Sequence, residues 1–429
     1  MINYNTLGNK TKEKIVNFSK NISNGMKKTT CKFIADMNYG ILASKSCVLT
    51  EIARKLKENI AIKKSEERLA RNLKEFTDAE YEKLTQNHIE YVKSVINNDA
   101  MLLIDPSDIT KPCSPKMEAI GSVYDGSKQK FADGYWTMGI VALTPNKAQP
   151  IPVYEHLYPC KKQGGKGQNV EIEKSLQFLR DNGFDGNHTR VFDRSGDSGE
   201  IFKSFIMHNE KFIIRQNQNR KVSHKGKEML VEDVIKHIEC THEMKFHSKT
   251  GNVSRCKIGM TTVTIKKFKN AKMSNIKMNL VVCKEWGEKP LAVYTNHDET
   301  FENIALKVVK GYLMRWRIEE FYAVKKQSLG LENFRVRSLC AIKTLNFLVA
   351  SLMSFIAVSS DNVMENTHCL ALVTASKRVQ GTAKFLEQTK LYLYAIIDGI
   401  SNVLTPLKCG IAHFFASKPR NLQLSFFPT

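Results

Sequence analysis

Fifteen residues constrain this chain more than any other stretch: Tyr312 to Lys326, YLMRWRIEEFYAVKK. No proline interrupts them, and Ile318, Phe321 and Val324 recur at three-residue steps, so the pattern predicts an amphipathic helix stopped by Gly330. At about 100° per residue, Tyr312, Arg315, Glu319 and Lys326 fall at about 0°, 300°, 340° and 320°. A phenol, a guanidinium, a carboxylate and an ammonium then share an arc of about 60°. A solvated face with a weak Arg315–Glu319 pair at i and i+4 gives the same composition. The spacing of all four is what distinguishes this helix.

The rest of the chain points to a polyanion. Lys and Arg number 65 against 43 Asp and Glu, a net charge of +22, and nucleic acid is the first partner that such an excess implies. A membrane partner is not expected, because apolar runs such as 345–358 are broken by Asn346, Ser351 and Ser354 and read as buried helices. The start, MINYNTLGNKTKEK, has no apolar signal segment, so a cytoplasmic protein is expected. Ten cysteines without a C-x-x-C pair read as free thiols. His237, Cys240, His242 and His247 suit zinc in type, but their spacing matches no zinc template.

Length suggests two or three domains. Residues 1–97 read as a helical, basic region, with 16 Lys and Arg against 7 Asp and Glu in residues 1–75. Helices are expected over 33–42, 49–56 and 65–76, the last two resembling a helix-turn-helix with Arg68, Arg71 and Lys74 on the final helix; a plain basic bundle fits equally. Thr77 and Glu80 form a capping box that opens the next helix.

Near Asn98 the pattern turns to strands. MLLI (101–104) is a buried strand ending at Asp105; further strands are expected within 132–143 and over 151–158, then a helix (171–182) and the strand TRVF (189–192), ending at Asp193. A helix over 201–209 and a strand over 211–216 follow. An aspartate after a strand often only caps a turn, and Asp108, Asp197 and Glu320 stand as neighbouring alternatives. Residues 217–294 read as a mostly β insertion, and residues 218–284 hold 15 basic against 5 acidic residues, which suits phosphates. A buried helix over 341–358 and a C-terminal helical region, 361–429, complete the chain.

Tyr312, Arg315, Glu319 and Lys326 in the frame Y-x2-R-x3-E-x6-K, with RWRIEEF, resemble the Y-R-E-K signature of DDE transposases of the insertion-sequence-four type. The resemblance covers residues 101–348. It implies a bacterial enzyme with an α/β fold: a ribonuclease-H-like core over 98–360 with a β-rich insertion, flanked by helical regions. It makes Asp105, Asp193 and Glu319 the catalytic, metal-binding triad, and Tyr312, Arg315 and Lys326 the DNA-binding residues. It implies two magnesium ions, with manganese as a substitute. Its partners would be double-stranded DNA, as transposon ends and target, and a second copy of the chain in a synaptic dimer, with hairpinned ends as an intermediate. One departure is that Leu291 stands where such enzymes can carry an aromatic for a flipped base; Trp286, five residues earlier, is either that aromatic or a core or turn tryptophan. Three carboxylates suit the chemistry independently, because hard cations that activate water and stabilise a phosphoryl leaving group take oxygen ligands. The rivals are a catalytically silent or domesticated DNA-binding derivative, and a metal nuclease that cuts without joining.

Overall fold

The computed structural model describes residues 3–143, 149–184, 186–217, 219–247, 253–265, 275–285, 289–298, 301–360, 366–376 and 393–415. The chain begins with five helices: α1 (Tyr4–Ile22), α2 (Lys28–Ser44), α3 (Leu49–Leu56), α4 (Ile62–Lys74) and α5 (Asp78–Lys93). The expected helices 33–42 and 49–56 lie within α2 and α3, and 65–76 overlaps α4, which stops two residues earlier at Lys74, whereas α1 forms from a stretch whose polar start hides Leu7, Ile15, Val16, Phe18 and Ile22 on its buried face. Thr77 and Glu80 cap α5 reciprocally. Arg68 does not face outward as the groove reading requires: its guanidinium reaches Asp36 at 2.8 Å and Glu58 at 2.7 Å, because the buried Asp36 needs a cation. Arg71 and Lys74 remain exposed.

Then comes a large mixed sheet: β1 (Met101–Thr110), β2 (Gly121–Asp125), β3 (Lys130–Leu143), β4 (Ile151–Tyr158), β5 (Thr189–Phe192), β6 (Phe212–Arg215), β7 (Lys221–His224), β8 (Lys227–Leu230), β9 (His242–His247), β10 (Val253–Ile265), β11 (Ile276–Lys284) and β12 (Leu291–Thr295). The order is β2-β3-β1-β5-β6-β12-β11-β10-β7-β8, with β4 also on β3 and β9 also on β10. Strands β1, β3 and β4 form an antiparallel meander, while β5 lies parallel to β1 and β6 parallel to β5. The strands after residue 220 extend this same sheet through the β6–β12 pairing.

Alternation of side chains along the strands sends residues to two apolar layers. Leu102, Ile104, Phe192 and Ile214 enter one, near α6 (Gln168–Asp181), α7 (Gly199–Met207) and α8 (Val231–His237). Leu103, Val191, Ile213 and Val293 enter the other, shared with α9 (Phe301–Leu313), α10 (Trp316–Ala323), α11 (Leu339–Ser359), α12 (Thr367–Ala375) and α13 (Leu393–Leu404). By length and composition α11, at 21 residues, could cross a membrane, but 83% of its apolar window is buried within the fold. Its serines do not interrupt it, since Ser351 and Ser354 bond to carbonyls. The two ends of the chain pack together: Lys45 pairs with Asp398 at 2.8 Å, and the Ser401 hydroxyl donates to the Ala43 carbonyl at 2.9 Å.

Candidate active site

Strand parity brings the two aspartates to one place. Ile104 pairs in parallel with Phe192, the last residue of β5, so Asp105 and Asp193 follow side by side. Both share parity with Leu103 and Val191, on the face covered by α9 to α11. Asp105 does not end its strand. Pairing with Gly134–Met138 of β3 carries β1 on through PSDIT to Thr110, overriding the turn chemistry of that sequence. Asp193 also caps the turn after β5, accepting the Ser195 N–H at 2.8 Å and the Ser195 hydroxyl.

The helix expected over 312–326 is three segments. Tyr312 lies in the last turn of α9, and across the junction the bonds tighten to i+3: Arg315 N–H to Tyr312 O at 2.9 Å, Arg317 N–H to Met314 O at 3.0 Å and Ile318 N–H to Arg315 O at 3.1 Å. After α10, Val324–Ser328 widens into a π turn. Overwinding before Glu319 and underwinding after it break the 100° arithmetic, so the four residues do not share one solvated stripe. Tyr312 is buried, and its hydroxyl donates to nothing among the described residues.

Arg315 and Glu319 do meet Asp105. The Arg315 guanidinium lies 3.3 Å from Asp105 Oδ2 and, through its other terminal nitrogen, bonds to Glu319. Arg315 and Asp105 side chains are each 16% exposed, and Glu319 is 58% exposed. Burial, followed by the negative field of Asp193, pushes the Asp105 carboxyl up to about 8; Arg315 pulls it down, and Glu319 adds a further push. Asp105 thus feels two other carboxylates, with the Arg315 guanidinium beside it.

The neighbouring acids are each matched. Asp108 accepts Lys326 Nζ at 3.0 Å, Glu320 accepts Arg317 at 2.7 Å, and the buried Asp197 pairs with Arg220. Lys326 also lies 3.5 Å from Glu332, so it is engaged on carboxylates.

Two further parts of the site escaped the sequence reading. The Tyr322 hydroxyl donates to the Asp105 carbonyl, and a Cβ at Gly139, the partner of Asp105 across the ladder, would sit 2.3 Å from that hydroxyl oxygen. Lys325 is fully buried, with Nζ 2.6 Å from Glu155 and 3.2 Å from Asn346. A signal existed: Lys325 lies seven residues after Ile318, on the apolar side of the helix, and Glu155 alternates with the buried Val153 and Leu157.

A divalent cation fits this donor set in kind, since oxygen ligands suit it and the carboxylates repel one another without it. Among the described residues no group of three or more His, Cys, Asp or Glu side chains is gathered to hold a metal ion. Here Arg315 supplies the positive charge between Asp105 and Glu319. His237, Cys240 and His242 do not gather either, and the side chain of His247 lies outside the described residues. Trp286 lies outside the described residues.

No family model matches the chain. Among solved structures it is similar to piggyBac transposase, in a synaptic complex with hairpin DNA, at 11% identity and a TM-score of 0.43 over 91% of this chain and 78% of that one. That likeness is distant in both sequence and shape.

Proposed function

We propose that this chain is a DNA transposase of the DDE type, which binds the terminal inverted repeats of its own element, cuts at them and joins the ends to a target. The observation that carries this reading is the carboxylate set around Asp105: Asp193 and Glu319 both act on its titration, and Arg315 is the cation among them. Supporting it, the strands run in the order β4-β3-β1-β5-β6, with the first three antiparallel and the last two parallel to β1, an order compatible with the ribonuclease-H-like core that this reading expects. The Y-R-E-K spacing supports the insertion-sequence-four subgroup.

In this reading Asp105, Asp193 and Glu319 hold two magnesium ions, or manganese in their stead. Bound there, such ions supply Lewis acidity and an activated water or 3′-hydroxyl for phosphodiester chemistry. Arg315, as a planar fork, and Lys326, as a point charge, exchange their carboxylate partners for phosphates of the DNA end. Residues 1–97 and the basic strands after residue 220 bind duplex, and the C-terminal helices join two copies in the synaptic complex.

The test is nicking of duplex that carries the element's end, with magnesium and with chelator. Asp105→Asn, Asp193→Asn and Glu319→Gln are each expected to abolish cutting while duplex binding survives, since residues acting as a unit lose nearly everything with one member. Glu320→Gln, whose partner is Arg317, is expected to cut well. Wild-type cutting by Glu319→Gln would remove the proposed triad, and a wild-type chain that binds duplex but fails to cut it whichever divalent metal is supplied is the silent DNA-binding protein.

A further inference from the structure

Beside the carboxylates lies a second basic feature with fixed walls. The segment after β1 and the segment after the π turn face each other across a cleft of about 710 Å³. Hydrogen bonds hold both walls: Glu118 N–H donates to Arg337 O at 2.9 Å, and Lys111 Nζ donates to the carbonyls of Glu332 and Phe334, each at 2.8 Å. Lys111 is buried and gives two of its three donors to those carbonyls.

The cleft's other cations are differently placed. Lys116, Arg335 and Arg337 are exposed, and their side chains have no ion pair or hydrogen bond among the described residues. One acid, Glu332, lines the cleft, and its carboxylate already accepts the Thr110 N–H at 3.0 Å and faces Lys326 at 3.5 Å. The chain Glu332, Lys326, Asp108 therefore ties the cleft to β1 three residues from Asp105.

We propose that this cleft takes the phosphates of one nucleic-acid strand running from the carboxylate site, with Lys116, Arg335 and Arg337 as the contacts. A small anion needs buried, converging donors, and the one buried cation here already gives two of its three donors to carbonyls. Exposed, separate cations suit a polymer, which releases counterions at each phosphate that they neutralise. The assignment rests on the nucleic-acid reading of the protein.

The experiment uses the full chain and a labelled random-sequence duplex, titrated by anisotropy between about 50 and 200 mM salt. Combined Lys116→Ala, Arg335→Ala and Arg337→Ala changes are expected to make the log–log salt slope shallower by roughly 2 to 3, at about 0.9 per phosphate lost. Alkylation gives an independent reading. Cys113 lines the cleft and Cys409 is exposed elsewhere, so duplex is expected to slow maleimide labelling of Cys113 and leave Cys409 unchanged. If the wild type binds duplex but the triple variant keeps its slope, or Cys113 labels at the same rate with duplex present, the cleft assignment falls alone. If the wild type binds no duplex, the proposed function falls with it.

Discussion

Two acid–base clusters lie within about two turns of each other along α10 and the π turn, and they are built on opposite principles. Glu155 and Lys325 are each 1% exposed and 2.6 Å apart, and the same Glu155 oxygen accepts Asn346 Nδ2 at 3.0 Å and the Thr137 hydroxyl. Charge there is matched one to one and walled off. Asp105, Asp193 and Glu319 set three acids against one guanidinium, at the edge of solvent. Stranding a buried charge costs several kcal/mol, so a cluster that serves the fold balances itself. A cluster that must receive something leaves its charge uneven.

The largest expected effect is on the sealed pair. Lys325→Met leaves Glu155 buried without its cation and is expected to cost about 3–5 kcal/mol of stability, read by urea unfolding. Adding Glu155→Gln should recover part of it, because the stranded charge is then gone. Were Lys325→Met as mild as a surface change, the contrast between the clusters would collapse.

The second prediction concerns the uneven cluster. Burial and Asp193 hold the Asp105 carboxyl at about 8, far above an ordinary aspartate. Between about pH 4 and the folded-state value, the folded chain keeps a proton that the unfolded chain has released. Stability should therefore fall as pH rises through that window, by at most about 1.4 kcal/mol per pH unit for one group. Asp105→Asn is expected to remove this slope and, at neutral pH, to leave stability unchanged or higher. Equal slopes in wild type and variant would show that Asp105 is not the repelled acid.

The two clusters were not equally legible in the sequence. Asp105 and Asp193 could be found because each follows an apolar run whose period sets its face, and TRVF is the strand β5 residue for residue. The extent of β1 could not, because the turn-forming PSDIT is overruled by pairing to a distant strand, β3. The helix arc failed for a local reason. Spacing arithmetic assumes uniform winding, while i+3 bonds at Arg315 and a π turn at Val324 rotate Tyr312 inward and separate Lys325 from Lys326. Adjacent lysines look alike in sequence. The seven-residue step from Ile318 puts Lys325 on the apolar side, and the tertiary partners, Glu155 for one and Asp108 for the other, complete the division.

The smallest expected effect sharpens the comparison most, because it asks what Arg315 does in the uneven cluster. Its guanidinium occupies the same two carboxylates, Asp105 and Glu319, that the proposed function gives to magnesium. A cation cannot enter there without displacing it. Arg315→Ala should therefore bind manganese more tightly in calorimetry, by up to about tenfold, or about 1.4 kcal/mol. The gain is bounded because Glu319 is 58% exposed, and solvent screens its share of the pairing. Removing Arg315 also removes the influence that lowers the Asp105 carboxyl, so the titration belongs above that group's pH range, where its proton no longer competes with the metal. End binding should weaken in the same variant, since a phosphate then loses its fork. Should the variant lose metal binding instead, Arg315 would be the residue that positions the carboxylates, and the uneven cluster would be held together by the very group read here as its competitor.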